Sequence, residues 1–404
     1  MILSFPGGVK PQERTRLGKS NIEIINTCSA ICLAAEEDAV ALIAAGTPVL
    51  RATLLGESGG MPVYSSIAGD FRGIMELEGK NYFVVTSNGS EGEEQTRLPE
   101  QRAITELTSG DIAESARRFA VYEPRYSLPL FKLIEEASGK CRRIVIDCTE
   151  ADPLSAINYR LCIEHAKELV GGAKLLLRAT GALKCVFAAE HYRKNAFASI
   201  LKYATDEKLF AIAELEEKYP YGDRAIMEAL YLKTLAQNER PTDHGVLVLS
   251  PEAAIALYTS MRDGAPTLDR YISVCGNGVN KQRNLRVPRG ITIHDIKELC
   301  GGLNEGTSLI ENSLLCGKRA SGALSDATRA LIAAKKENRI ASECTSCGLC
   351  AEVCPMRLLP LDILSEDKLP WTKSCISCGA CEYICPSAIP LLWLIDRKRG
   401  KTED

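Results

Sequence analysis

Two runs of cysteines near the C-terminal end of the sequence have the spacing that cubane iron–sulfur clusters require. Each run reads C-x-x-C-x-x-C-x-x-x-C-P. A [4Fe–4S] cubane needs four converging thiolates, and in two-cluster ferredoxins the fourth cysteine of each run binds the other cluster. This spacing predicts two [4Fe–4S] clusters with crossed ligand sets, one on Cys344, Cys347, Cys350 and Cys385, the other on Cys375, Cys378, Cys381 and Cys354.

Two other chemistries use paired cysteines, and both suit this pattern less well. Structural zinc sites combine two C-x-x-C pairs that lie far apart, without a third cysteine in each run. Disulfides would not need the repeated spacing. The pattern therefore favours a protein that moves single electrons.

Nine further cysteines match no cluster or zinc spacing and are expected to be thiols within the core. They are Cys28, Cys32, Cys141, Cys148, Cys162, Cys185, Cys275, Cys300 and Cys316. Cys275 follows a strand at a glycine turn, so a redox-active thiol is a second hypothesis for it, which a depressed pKa would support. A small residue in a turn is the favoured interpretation.

Composition indicates a soluble globular protein of two to four domains. The chain has 404 residues, of which 46% are hydrophobic and 25% charged. A formal net charge of −3 gives no electrostatic case for binding nucleic acid. No apolar stretch reaches the roughly 18 residues that span a bilayer, and no secretory signal opens the sequence. Oxygen-sensitive clusters and seventeen cysteines favour a reducing, cytoplasmic location.

The elements that would position the cysteines follow one another in four stretches. Short strands broken by glycines come first, and strands alternating with helices then predict a mostly parallel sheet closed by residues 245–250. Within this region Lys174–Leu177 is predicted as a strand. A helix over Pro251–Asp263 precedes two strands and a helix over Ile293–Cys300. The remainder is predicted to be mostly helical, with a helix over Ser325–Asn338 leading into the first cysteine run.

Several motifs resemble those of the RnfC family, in the lineage of the complex I flavoprotein subunit. They are Phe5-Pro6-Gly7-Gly8-Val9, the turn Ser65–Asp70, Ile146–Pro153 followed by Arg160, and Lys218-Tyr219-Pro220-Tyr221-Gly222. The resemblance implies a multidomain α+β fold with four parts. These are a β barrel-sandwich (1–100), a degenerate FMN/NADH-binding Rossmann-like α/β domain (101–250), an SLBB ubiquitin-like unit (251–303) and a helical two-cluster ferredoxin module (304–404).

The same resemblance implies a flavin site, and the residues at that place depart from it. The family binds FMN and NADH with a glycine-rich loop, because phosphate and isoalloxazine come too close to the backbone for any Cβ. The corresponding stretch, Ala120–Lys132, contains no glycine and places Glu123 between two tyrosines. The family's asparagines at two strand ends are replaced by Asp147-Cys148 and Leu249-Ser250. We therefore expect FMN to be absent and the domain to act as a scaffold.

The expected function is electron relay. Electrons would pass from a donor flavoprotein or ferredoxin through the two clusters to a partner reductase, with peripheral association to a larger complex. The resemblance includes a branch that serves proline reductase (PrdC-like). The alternative is an FMN-dependent, NADH-oxidising enzyme of RnfC or cobalamin-reductase type. Glu150, Asp152 and Arg160 would be ligand contacts in that enzyme and fold-keeping groups in the relay.

Overall fold

The structure is a computed structural model of mixed α/β class. It describes residues 2–11, 15, 17–92, 94, 100, 102–232, 241–335, 340–364 and 370–400. No helix within these ranges is both long and apolar enough to cross a membrane.

The first part of the chain forms two antiparallel sheets around one apolar core that includes Phe71 and Phe83. The strands of these sheets are β2 (Ala30–Ala35), β3 (Val40–Ala41), β4 (Pro48–Val49), β5 (Leu54–Ser58), β6 (Met61–Tyr64), β7 (Gly69–Leu77) and β8 (Lys80–Thr86). The strand before them, β1 (Ile22–Ile24), joins a later sheet. One sheet has the order β2-β8-β7-β4 and the other β3-β5-β6. The predicted turn lies between β6 and β7. Positive φ angles at Glu78 and Gly79 let the β7–β8 hairpin close in two residues.

The middle of the chain is a parallel α/β domain, as predicted. Its elements are α1 (Ser109–Arg118), β9 (Tyr122–Glu123), β10 (Leu128–Pro129), α2 (Leu130–Ala137), β11 (Arg143–Asp147), α3 (Ile157–Glu164), α4 (Ala166–Thr180), β12 (Lys184–Glu190), α5 (Lys194–Leu201), β13 (Phe210–Leu215), α6 (Arg224–Leu232), β14 (Val246–Leu249) and α7 (Pro251–Asp263). The sheet order is β13-β12-β11-β14, all parallel. Strands β11 and β14 are largely apolar and buried because helices cover both faces of the sheet.

The strand predicted over Lys174–Leu177 is wrong, because these residues lie in α4. A short apolar run cannot by itself distinguish a strand from a buried helix segment. Leucine, alanine and lysine favour a helix throughout this stretch, and Gly181 ends it in the left-handed conformation.

Helices α4 and α7 cross at close range because α4 carries glycines at the crossing. A Cβ on Gly172 would lie 1.9 Å from the carbonyl oxygen of Ala254 in α7. A Cβ on Gly171 would lie 2.5 Å from the ring of Tyr258. No side chain can be accommodated at Gly172 without separating the two helices.

The next part forms a five-stranded sheet with the order β1-β16-β15-β18-β17. Its elements are β15 (Asp269–Cys275), β16 (Arg283–Pro288), α8 (Ile293–Leu299), β17 (Thr307–Glu311) and β18 (Ala330–Lys335). The helix predicted over Ser325–Asn338 is therefore wrong within the described residues, and 336–338 lie outside them. Ala330–Ala333 is fully buried between β15 and β17, so tertiary packing overrides the helix preference of its alanines.

The cysteine runs lie in the C-terminal part, on loops that lead into short helices. These helices are α9 (Leu349–Glu352), α10 (Ala380–Ile384) and α11 (Leu391–Lys398). The prediction that residues 304–404 are mostly helical is therefore wrong for β17 and β18, which belong to the preceding sheet. The described residues from 340 onward contain helices and loops only.

The crossing of α4 and α7 predicts different effects for two helical glycines. Gly172→Ala should lower the free energy of unfolding by about 3 kcal/mol, because the added methyl overlaps backbone that cannot move aside. Gly110→Ala in α1 is the matched control, since its Cβ would meet nothing closer than 3.8 Å. The control should leave stability unchanged or raise it by up to about 1 kcal/mol. Chemical denaturation of both variants measures this, and equal stabilities would contradict the close crossing.

Candidate iron–sulfur centre and the neighbouring crevice

The two cysteine runs fold into loops of the same shape. Each loop has a serine and a glycine in the left-handed conformation: Ser346 (φ 53°), Gly348 (φ 77°), Ser377 (φ 53°) and Gly379 (φ 76°). The left-handed serine turns its backbone amide toward the first sulfur of the run. Ser346 N donates to Cys344 Sγ at 3.4 Å, and Ser377 N donates to Cys375 Sγ at 3.4 Å. Such amide–sulfur contacts are the ones that tune cluster potentials in proteins.

Four cysteines from the two runs line one small cavity. They are Cys344, Cys347 and Cys350 of the first run and Cys385 of the second. Leu361, Leu364, Ile389 and Leu391 complete its walls and make it mostly apolar. The structure thus brings together the four cysteines that the predicted crossed assignment gives to the first cluster.

The remaining four cysteines also lie close together. Burial raises the pKa of Cys381 to about 12, and the neighbouring Cys375 and Cys354 add to that shift. Burial also raises the pKa of Cys375, with Cys354 again contributing. The pKa of Cys378 responds to both Cys381 and Cys375. Iron would reverse these shifts, since metal binding favours the thiolate.

The two cysteine sets differ in their exposure. In the first set Cys344 and Cys347 are exposed, Cys350 is half-buried and Cys385 is buried. In the second set Cys378 and Cys381 are only 8% and 9% exposed, and Cys354 and Cys375 are half-buried. The first set is therefore the more exposed of the two, through two of its four cysteines.

Contacts with the rest of the chain explain why the second set is buried. The hydroxyl of Tyr219, in the loop after β13, donates to the carbonyl oxygen of Cys378 at 2.6 Å. The amide of Gly8 donates to the carbonyl oxygen of Val353 at 2.8 Å. Gly7 has a φ of +64°, and a Cβ there would lie 2.7 Å from the backbone of Cys354. The Phe5–Val9 motif thus packs on the cysteine loops, not within the N-terminal sheets.

The motifs that contain Gly7-Gly8 and Tyr219 do not by themselves predict this contact. Paired glycines signal a close backbone approach, but the sequence does not say to what.

Among the described residues, no three histidine, cysteine, aspartate or glutamate side chains are placed to hold a single metal ion. The eight cysteines are all described, and four of them surround a cavity instead.

A buried ion pair occupies the crevice at the carboxyl end of the parallel sheet. The guanidinium of Arg125 donates to the carboxylate of Asp147 at the end of β11, and both side chains are almost fully buried, at 1% and 0% exposure. Arg125 also donates to the carbonyl oxygen of Gly222 at 3.3 Å. Asp147 accepts from the amide and hydroxyl of Thr149 at 2.9 and 2.7 Å.

Glu123 fills the adjoining part of the same crevice. Its carboxylate accepts a hydrogen bond from the backbone amide of Ser250, the residue directly after β14, at 2.8 Å. It also accepts from the amide of Arg125 at 2.9 Å. Burial raises the pKa of Glu123, and these donors partly offset that effect. The amides that could hold a phosphate are therefore held by a carboxylate of the chain itself.

Acidic side chains line the cavity next to this crevice. Glu150, Glu190 and Glu217 face it together with Lys218. Burial raises the pKa of Glu190 to about 7 despite the nearby Arg193. A flavin phosphate would meet more negative than positive charge here.

The three polar residues expected to be either ligand contacts or fold-keeping groups all have partners within the chain. Glu150 accepts from Ser155 Oγ and from the amide of Tyr159, both at 2.9 Å, at the start of α3. Asp152 accepts from the amide of Leu314 at 2.9 Å. Arg160 donates to Glu164 at 2.7 Å. These contacts indicate fold-keeping roles.

Cys275 is fully buried at the end of β15. Burial raises its pKa well above the ordinary value for a thiol. A redox-active thiol would need the opposite shift and access to solvent, so the structure supports the core interpretation of this cysteine.

Two segments match known domain families. Residues 129–259 match the Nuo51 FMN-binding domain. Residues 336–386 match the 4Fe-4S dicluster domain, which includes both cysteine runs.

Curated relatives are components of redox complexes. One belongs to the Na(+)-translocating ferredoxin:NAD(+) oxidoreductase complex of Acetobacterium woodii and is 25% identical over 57% of this chain and 54% of the relative. Another belongs to the proton-translocating ferredoxin:NAD(+) oxidoreductase complex of Clostridium ljungdahlii and is 23% identical over 91% of this chain and 86% of the relative. The aligned chain thus spans about half the length of the first relative and most of the second.

The buried pair in the crevice predicts a large loss of stability when one partner is removed. Arg125→Met should lower the free energy of unfolding by about 3–5 kcal/mol, because Asp147 is left as an uncompensated buried charge. Adding Asp147→Asn should recover part of the loss. Arg117→Met, which breaks an exposed pair with Glu114, is the control and should cost less than about 1 kcal/mol. Equal small losses in urea denaturation would show that the pair does not hold the crevice.

Proposed function

This chain is a member of the RnfC-like family, and on that premise we propose that it is an iron–sulfur electron-transfer subunit of an oxidoreductase complex. Two [4Fe–4S] clusters would carry single electrons between a redox donor and a partner reductase. The observation that carries the proposal is the cavity lined by four cysteines drawn from both runs.

The ligand assignment that we propose is the crossed one. Cys344, Cys347, Cys350 and Cys385 would hold the first cluster, and Cys375, Cys378, Cys381 and Cys354 would hold the second. The shared loop shape and the match to the 4Fe-4S dicluster domain support this assignment. When bound, each cluster supplies a one-electron redox couple. The chain provides the thiolates, donates amides to sulfur, and excludes water with apolar side chains such as Ile389 and Leu391.

The difference in exposure between the two cysteine sets indicates where a partner protein would dock. The first set is the more exposed of the two, and we propose that the outer protein partner exchanges electrons there. Large apolar side chains in the same C-terminal part are exposed, including Ile340 (92%), Leu359 (56%) and Trp393 (48%). Exposed apolar groups of this kind mark protein contact surfaces.

The second set faces the body of the protein, and Tyr219 holds it there. Its hydroxyl lies 3.0 Å from Ser313 Oγ and 3.4 Å from Cys316 Sγ, besides donating to the carbonyl oxygen of Cys378. Tyr219 is therefore a positioning residue that fixes the backbone of a proposed ligand. The α/β domain lies on this inner side.

We propose that the chain works without FMN. The filling of the crevice by Glu123, Arg125 and Asp147 supports this. The second candidate function is that of an FMN-dependent, NADH-oxidising enzyme, which the match of residues 129–259 to the Nuo51 FMN-binding domain favours. The two functions differ in flavin content and not in iron content.

The finer assignments belong to the same proposal. The paired sheets of β2–β8 are consistent with a barrel-sandwich, and the five-stranded sheet with α8 is consistent with an SLBB unit. We propose a ferredoxin or flavoprotein donor, a partner reductase such as a proline reductase-type system as acceptor, and a cytoplasmic location with peripheral association to the complex.

Cofactor content of anaerobically purified protein tests the proposal directly. We expect about eight irons per chain, because each cubane holds four, and no stoichiometric flavin. Cys385→Ala and Cys354→Ala should each lower the iron content to about four atoms per chain, since each removes a ligand from a different cluster. Cys28→Ala, outside both runs, is the control and should retain about eight. One FMN per chain would favour the second candidate, and zinc without iron would contradict both.

The exposure difference predicts that iron is lost in two phases. Under ferricyanide oxidation with an iron chelator, about half the iron should leave quickly, from the exposed set on Cys344 and Cys347. Cys385→Ala should remove the fast phase and Cys354→Ala the slow one. A single phase, or the reverse assignment, would show that the two clusters do not differ in access as their cysteines do.

A further inference from the structure

A large groove lies between α3 and α5, apart from the cysteines and the ion pair in the crevice. Its volume is about 750 Å³. Asn195, Ala198, Ser199 and Lys202 line it along one side of α5. Tyr159, Arg160 and Ile163 of α3 line the opposite side, and Thr15, Gly18 and Lys19 close one end. This volume is within the range of small-molecule and cofactor sites.

The charge of the groove is positive. Of the described residues that line it, four are basic and none is acidic: Lys19, Arg160, Arg193 and Lys202. Arg160 is balanced by Glu164 outside the groove wall, and Arg193 lies 3.7 Å from Glu190. Lys19 and Lys202 are exposed at the rim. Their two charges attract an anion into the groove.

Arg193 is a donor built into the floor of the groove. The residue is 6% exposed. Its Nε makes no hydrogen bond among the residues that the structure describes and lies 3.7 Å from Oε2 of Glu190, which lines the neighbouring acidic cavity. The guanidinium lies over the ring of Tyr159 at 4.7 Å and that of Tyr192 at 5.1 Å. The rings fix its plane, so its position does not depend on a ligand.

We propose that this groove binds a phosphorylated small molecule of mononucleotide size. The phosphate would bind Arg193 and the lysines at the rim, because guanidinium and ammonium groups are the common phosphate donors. An aromatic ring of the ligand would lie against the tyrosines. Tyr192 also lines the acidic cavity beside Glu190, so it separates the groove from the inner crevice.

This site is independent of the electron relay. None of the eight cysteines lines the groove, nor do Glu123, Arg125 or Asp147. A chain that lacks FMN in the crevice can therefore still bind a nucleotide on this side of the domain.

Calorimetry on the full chain with its clusters tests the proposal, using AMP, inorganic phosphate and adenosine as probes. We expect AMP to bind more tightly than phosphate and adenosine not to bind. Lys202→Glu and Arg193→Lys should each weaken AMP binding roughly tenfold, the effect of losing one charge-assisted contact. Lys202 is exposed, so its variant should fold normally. Lys208→Glu is the matched control, since Lys208 is exposed nearby but does not line the groove, and it should bind AMP as the unmodified chain does.

Four results would overturn the proposal. They are no AMP binding at millimolar concentration, binding that neither variant changes, equal weakening by Lys208→Glu, and phosphate binding as tight as AMP. The third would indicate diffuse surface charge, and the last an anion contact without an aromatic subsite. Iron content is measured on the same samples. A failure of AMP binding with about eight irons per chain would then count against the groove and not against the electron relay.

Discussion

The proposed crossing of the two cysteine runs is the constraint on which the C-terminal part depends. In that assignment neither run completes a cubane alone, because each contributes three thiolates to one set and the fourth to the other. The loops must therefore fold around each other, and matching left-handed serines and glycines give them the same shape. The helices that follow are short, and α9 and α10 contact each other directly. Their small apolar cluster includes Cys381 and Cys385, so the structure that would surround the iron is also a large part of this region's core.

Electrostatics separates the α/β domain from an ordinary nucleotide-binding domain. Parallel sheets bind ligands at the carboxyl ends of their strands, where free backbone amides donate hydrogen bonds to phosphate and glycines leave room for it. Here the carboxylate of Glu123 accepts the hydrogen bond of such an amide, that of Ser250. The guanidinium of Arg125 neutralises the second carboxylate of the crevice, Asp147. Burial also lowers the pKa of Arg329 to about 10, with Arg125 contributing to the shift. Each buried charge in this crevice depends on a partner of opposite charge, so the side chains hold one another in place. Among the described residues that line the α3–α5 groove, by contrast, there are basic side chains and no carboxylate.

The sequence predicted what depends on local spacing and missed what depends on distant contacts. The grouping of Cys385 with Cys344, Cys347 and Cys350 was predictable, because cluster geometry fixes which cysteines must converge. The helix Pro251–Asp263 was predicted with its bounds, since Ser250 caps it and Gly264 ends it. Ala330–Lys335 was predicted as a helix because its composition is helical, while two neighbouring strands decide its state. The glycine-free loop signalled a changed crevice, but the pairing of Arg125 with Asp147 required the fold.

The seating of Gly7 and Gly8 on the loop that carries Cys354 joins opposite ends of the sequence. Bringing such distant residues together costs loop-closure entropy, which the contacts themselves must offset. The packing around the inner cysteines also depends on Tyr219, whose hydroxyl donates to the carbonyl oxygen of Cys378. Residues far outside the two cysteine runs therefore complete the surroundings of the inner set.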